Sequence, residues 1–137
     1  MTEETVELIL PSRIETISEA VTAATDAARR AGLDEDALFG VEMAVREAVT
    51  NAVLHGNRED EGKPVEMGLT SSGSELIITV RDRGEGFDPA SVADPTAGQN
   101  LLKTSGRGIL FMRNFMDDVR WEPHPQGGTV VRMIKKR

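Results

Sequence analysis

EAVTNAVLHGN, residues 47–57, has the look of an amphipathic helix with a polar stripe along it. Glu47, Asn51 and His55 follow one another at four-residue steps and so share one face. A carboxylate, an amide and an imidazole stacked in this way form either a solvated surface or part of a site, and the surrounding sequence decides between them. Upstream, Leu38, Val41, Val45, Ala48 and Ala52 recur at three- and four-residue spacing, which predicts a helix opened by Asp34 or Glu35 with this apolar face turned inward. Earlier still, VELIL at 6–10 predicts a strand ended by Pro11. Ser12 is then placed to cap a helix from about Arg13 to Ala31, with Gly32 as its stop. Downstream, the polar run GNREDEGKP at 56–64 predicts a solvated turn. VEMGLTSS and ELIITVRD after it predict an antiparallel hairpin through Ser72, Gly73 and Ser74.

The second half has the same texture. From Asp88 to Ser105 the chain has little periodicity, and connections of that length inside a compact fold are commonly functional. Ile109, Leu110, Met112, Phe115 and Met116 predict a third helix beginning near Gly108, and DVRWEP and TVVRMIKK, divided by HPQGG, predict a closing hairpin. Without an internal repeat or a long linker, residues 1–137 are expected to form a single α+β domain, a layer of helices on a mostly antiparallel sheet.

Composition narrows the function classes. A chain of 137 residues buries roughly two-thirds of its unfolded surface. With one Trp, four Phe and no Tyr, its core is expected to consist of Val, Ile, Leu, Met and Ala. The formal charge of −7 opposes non-specific binding to nucleic acid or to an anionic membrane. The absence of Cys removes disulfides and thiolate metal sites, and two His make a structural zinc site a poor fit. MTEETVELILPS is too acidic, and its apolar run too short, for a signal peptide. Nothing approaches the ~20 apolar residues of a membrane span, so a cytoplasmic location is expected.

Two glycine clusters supply the context that the helical stripe needs. VRDRGEGFDP at 80–89 leaves an apolar strand with Asp82, Gly84 and Gly86 at two-residue steps. Glycine permits a sharp turn or a close backbone approach, and a strand-end aspartate can accept a hydrogen bond from an exocyclic amine; the same residues also suit a plain turn. SGRGI at 105–109 places Gly106 and Gly108 before a helix, where exposed amides and the helix dipole suit phosphate, or where a loop simply joins a helix.

Taken in order, the Glu47–Asn51 helix, the strand with Asp82-x-Gly84-x-Gly86, the intervening segment and Gly106-x-Gly108 at a helix start resemble the nucleotide site of the GHKL ATPases, the superfamily of gyrase, heat-shock chaperones and histidine kinases. Within it, EAVTNAVLHG and GILFMRNFMDDV look most like the anti-sigma factor serine/threonine-protein kinases of bacterial partner-switching systems. The resemblance implies the Bergerat, or histidine-kinase-like ATPase, fold and the cofactors ATP and Mg²⁺. It implies Glu47 as the general base, Asn51 as the magnesium ligand, and Asp82 on the adenine amine with Gly84 and Gly86 beside it and Thr129 assisting. Residues 88–105 correspond to an ATP lid, in which Lys103 is the candidate phosphate contact, joined by Gly106, Arg107 and Gly108. His55 receives no catalytic step.

The implied activity is phosphorylation of a small antagonist protein by a homodimeric kinase that contacts neither nucleic acid nor membrane. A sigma factor is a further candidate partner, although Glu15 and Glu19 occupy a helix on which some sigma-binding members carry an arginine. Two alternatives stay open: a nucleotide-gated binding module without phosphotransfer, and the catalytic domain of a sensor histidine kinase.

Overall fold

The computed structural model describes residues 3–84 and 112–137. Its frame is a five-stranded sheet in the order β1-β2-β3-β5-β4. The strands are β1 (Glu4–Leu10), β2 (Val65–Ser71), β3 (Glu75–Arg81), β4 (Asp118–Pro123) and β5 (Thr129–Lys136). Every described pairing is antiparallel. Period-two patterning explains the register. Met67 lies opposite Val80, and Leu69 opposite Ile78. Val80 and Ile78 in turn face Val131 and Met133. All six are buried, so a one-residue slip of any strand would turn its apolar set to the other face.

Two helices cover that apolar face: α1 (Thr16–Arg30) packs on α2 (Glu35–Thr50), with α1 also against β2 and β3 and α2 against β5. Ala20, Ala24, Ala27 and Ala28 give α1 a shallow buried face, which allows close helix packing. Asp34 caps α2, accepting a hydrogen bond from the Ala37 amide at 2.9 Å. Among the described residues the largest fully buried side chains are Met67, Leu69, Leu76, Ile78, Met112 and Met133, with Val filling the remainder. Trp121 is half-buried on β4, with the Arg113 guanidinium 5.2 Å from its ring centroid. Among the described residues, no helix is long and apolar enough to cross a membrane.

Three local expectations change. Helix α1 starts at Thr16, and its cap residue Glu15 makes no side-chain hydrogen bond. Ser12 is instead buried, donating to the Lys63 carbonyl and accepting from Asn57. The 56–64 run is not solvated throughout, because Asn57 is only 2% exposed. The α2 run does not end as an α-helix either: residues Asn51–Gly56 widen into a π-turn, closed by the Asn57 amide on the Ala52 carbonyl at 2.8 Å. Residues 112–115 are helical and the Met116 amide bonds the Met112 carbonyl at 3.0 Å, while the start expected near Gly108 lies outside the described residues.

Candidate functional site

The polar stripe survives the widened turn. The Asn51 amide still donates to the carbonyls of Glu47 and Ala48, so Glu47 and Asn51 sit one helical turn apart. A π-turn takes up more residues than an α-turn, so the four-residue step from Asn51 to His55 remains close to one turn. The electrostatics agree. Burial raises the Glu47 carboxyl above its usual 4.5, while His55, two turns on, is near enough for its charge to lower it in part. Glu47 is therefore a half-buried carboxylate more basic than a solvated glutamate, which is the tuning a general base requires.

Asp82 stands where β3 runs out. Its amide donates to the Thr129 carbonyl at 3.0 Å, continuing the β3-β5 ladder by one step. In the return direction the Thr129 amide reaches the side-chain Oδ1 at 3.3 Å, and Oδ1 also accepts from the Gly84 amide at 2.9 Å. Burial raises the Asp82 carboxyl above its usual 3.8, opposed by these two hydrogen bonds and by the Arg81 charge. Among the described residues no donor reaches Oδ2. One oxygen of a buried carboxylate is thus held by the main chain and the other is left as an acceptor, which suits an N–H donor on a ligand.

The packing here is backbone on carboxylate. A β-carbon at Gly56 would lie 2.5 Å from Asp82 Cγ and 2.6 Å from Oδ2. Opposite it, a β-carbon at Gly84 would overlap the Gly56 carbonyl. Gly128, at φ +85°, turns the chain into β5 directly against the Asp82 carbonyl. The helical run that carries Glu47 and Asn51 therefore ends against the aspartate that closes β3. Of the expected residues, Asp82, Gly84 and Thr129 meet in one hydrogen-bonded corner, and Glu47 and Asn51 share the helix leading to it. Gly86, Lys103, Gly106, Arg107 and Gly108, and the 88–105 segment with them, lie outside the described residues.

Gly56, Asn57 and Gly128 were missed as site residues. In sequence Gly56 and Asn57 read as the start of a solvated polar turn. Their signal is a spatial one, since each meets Asp82 or its neighbour from a distant part of the chain.

Residues 10–135 match the histidine kinase-like ATPase domain family. The chain belongs to that family. As a member it is a nucleotide-binding domain, and the corner at Asp82 lies within the matched region. Among its relatives is a protein named anti-sigma F factor from Bacillus subtilis, 39% identical over 103 residues, covering 73% of this chain and 70% of the relative. Proteins of the same name from Heyndrickxia coagulans and Clostridium botulinum are 35% and 33% identical, covering 90% and 95% of this chain and 85% and 91% of their own lengths. Among solved structures, the RsbU and RsbW domains of Rv1364c from Mycobacterium tuberculosis share the fold, with a TM-score of 0.64 and 20% identity. That match covers 98% of this chain, which spans one third of the longer protein.

Proposed function

We propose that this ATPase-family domain is an ATP-dependent protein serine kinase and anti-sigma-type regulator in a bacterial partner-switching system, phosphorylating a small antagonist protein. The observation that carries the proposal is Glu47, a half-buried carboxylate with raised basicity one turn before Asn51. A module that only binds nucleotide gains nothing from such a base, whereas transfer to a serine hydroxyl does, by ~10²- to 10⁴-fold. The name anti-sigma F factor, carried by its relatives, supports the anti-sigma part.

In this reading Asp82 Oδ2 accepts from the adenine amine, with Gly84, Gly86 and Thr129 shaping the pocket, while Lys103, Gly106, Arg107 and Gly108 contact phosphate from the 88–105 lid and its edge. Among the described residues no cluster of His, Asp or Glu could cage a metal. Asn51, half-buried and one turn from Glu47, would hold magnesium through its side-chain oxygen, the kind of ligand that ion prefers. When bound, the ion would supply positive charge at the transferring phosphoryl group. Glu47 takes the proton of the serine hydroxyl as its oxygen attacks the γ-phosphorus and ADP departs. The functional unit is a cytoplasmic homodimer, which light scattering at micromolar concentration checks, and a sigma factor is a further partner.

The deciding experiment mixes the protein with radiolabelled ATP and candidate antagonist domains, comparing wild type with Glu47→Ala after nucleotide binding by both has been verified. Label on serine with wild type and its loss in the variant is the expected result. Normal ATP binding without transfer would leave a nucleotide-gated binding module, and label on a partner histidine would make the domain a sensor-kinase catalytic unit.

A further inference from the structure

Asn57 lies at a junction of three parts of the chain, and nothing in the proposed chemistry uses it. Its amide oxygen accepts from the Arg83 amide at 2.6 Å. Its Nδ2 donates to Ser12 Oγ at 2.9 Å, to the Lys63 carbonyl at 2.6 Å and to the Pro64 carbonyl at 3.2 Å. Its two N–H groups serve these three acceptors, one of them shared, and with the Arg83 N–H facing the oxygen only one orientation of the amide matches donors to acceptors. The residue is 2% exposed, and its bond to Ser12 is fully buried.

The bond to Arg83 bears on the site. Beyond Asp82 the strand ladder ends, and the next amide, that of Arg83, finds its partner in Asn57. The chain then doubles back so that the Gly84 amide reaches Asp82 Oδ1. The Asp82–Arg83 peptide is therefore held from outside the strand by a side chain anchored at the β1-α1 junction. Without that hold the Arg83 N–H loses its protein partner, the turn is free to rotate, and the Gly84 amide no longer fixes the carboxylate.

We infer that Asn57 is a positioning residue for nucleotide-base selection: it holds the Asp82–Gly84 turn so that Asp82 Oδ2 meets an amino group on the base. This rests on the assignment of Asp82 to the adenine amine. The structural alternative, a clasp that only stabilises the 57–64 loop, differs in what it predicts. A clasp lowers the melting temperature and leaves base preference alone. A positioning residue changes the preference itself.

The test titrates ATP and inosine triphosphate, in which a carbonyl oxygen replaces the amino group, into wild type, Asn57→Ala and Ser12→Ala by calorimetry in magnesium, with a thermal melt of each. Wild type is expected to prefer ATP by at least about a hundredfold. Asn57→Ala is expected to lose about tenfold of that preference through weaker ATP binding, with inosine triphosphate affinity within about twofold of wild type. An unchanged preference in a folded, less stable Asn57→Ala would overturn the inference and leave the Asp82 assignment standing. If wild type itself shows no preference, the Asp82 assignment fails and the inference with it. Should Asn57→Ala not fold, Ser12→Ala decides, because it frees one anchor of the Asn57 amide: a preference reduced about threefold supports positioning, and an unchanged one overturns it.

Discussion

The α-carbon of Gly56 is packed directly against the carboxylate of Asp82, so closely that a methyl group at position 56 would fall 2.5 Å from Cγ. Twenty-five residues separate the two in sequence, and this contact joins the end of the helix carrying Glu47 and Asn51 to the end of β3. Substitution should therefore be felt in both stability and binding. Gly56→Ala is expected to cost about 1–3 kcal/mol, as overpacking does, and to weaken ATP binding. Gly62→Ala is the control: its β-carbon would meet only the exposed Asp60 Oδ1 at 3.2 Å, so a change within about 0.5 kcal/mol is expected. Urea denaturation of both variants makes the comparison.

Asp82→Asn keeps an oxygen for the Gly84 and Thr129 amides but replaces Oδ2 with a donor. Calorimetry is expected to show at least about tenfold weaker ATP binding in a folded protein. Wild-type affinity in the variant would remove the basis for placing the adenine amine there.

The raised Glu47 carboxyl sets a pH dependence of stability. Its folded pKa lies above the unfolded value of 4.5, so the neutral form is favoured by folding. That contribution is complete below the unfolded value and is lost as pH rises through the folded one. At neutral pH the ionised group therefore costs stability, and Glu47→Gln is expected to raise the melting temperature of the nucleotide-free protein. The difference from wild type should vanish below about pH 4. A melt series across pH tests the sign.

The same shift predicts a kinetic signature. If Glu47 is the base, the acid limb of the phosphotransfer profile lies above 4.5, and His55→Ala, which removes a charge that holds the carboxyl down, moves the limb to higher pH. An unmoved limb in His55→Ala would separate the observed titration from Glu47.

Asp34 supplies the only side-chain cap among the described α-helices. Asp34→Ala is expected to cost about 1 kcal/mol, read as a lower urea midpoint with an unchanged slope.

Much of this molecule was legible in one dimension because its signals are periodic. The alternation of Met67 and Leu69 against Ile78 and Val80 predicts a hairpin, and the recurrence of Val41, Val45, Ala48 and Ala52 predicts an inward helix face, since each pattern has only one way to bury its apolar members. Asp82 and Gly84 could be singled out because a strand end and glycine steps mark positions where backbone and side chain can turn toward a ligand, whereas Thr129 was named only through the resemblance to the GHKL ATPases.

What could not be read is whatever depends on two distant segments meeting. Nothing local distinguishes Asn57 from a solvated turn residue, or Ser12 from a helix cap. Each is defined by the other, and by carbonyls and an amide that arrive from residues 63, 64 and 83. The π-turn at Asn51–Gly56 was not legible either, since the four-residue spacing of the polar stripe suits an α-helix as well. Periodicity thus determined which faces are buried and in what order the elements run. The corner at Asp82 was decided by backbone groups that find their hydrogen-bond partners only after the sheet and helices have closed around them.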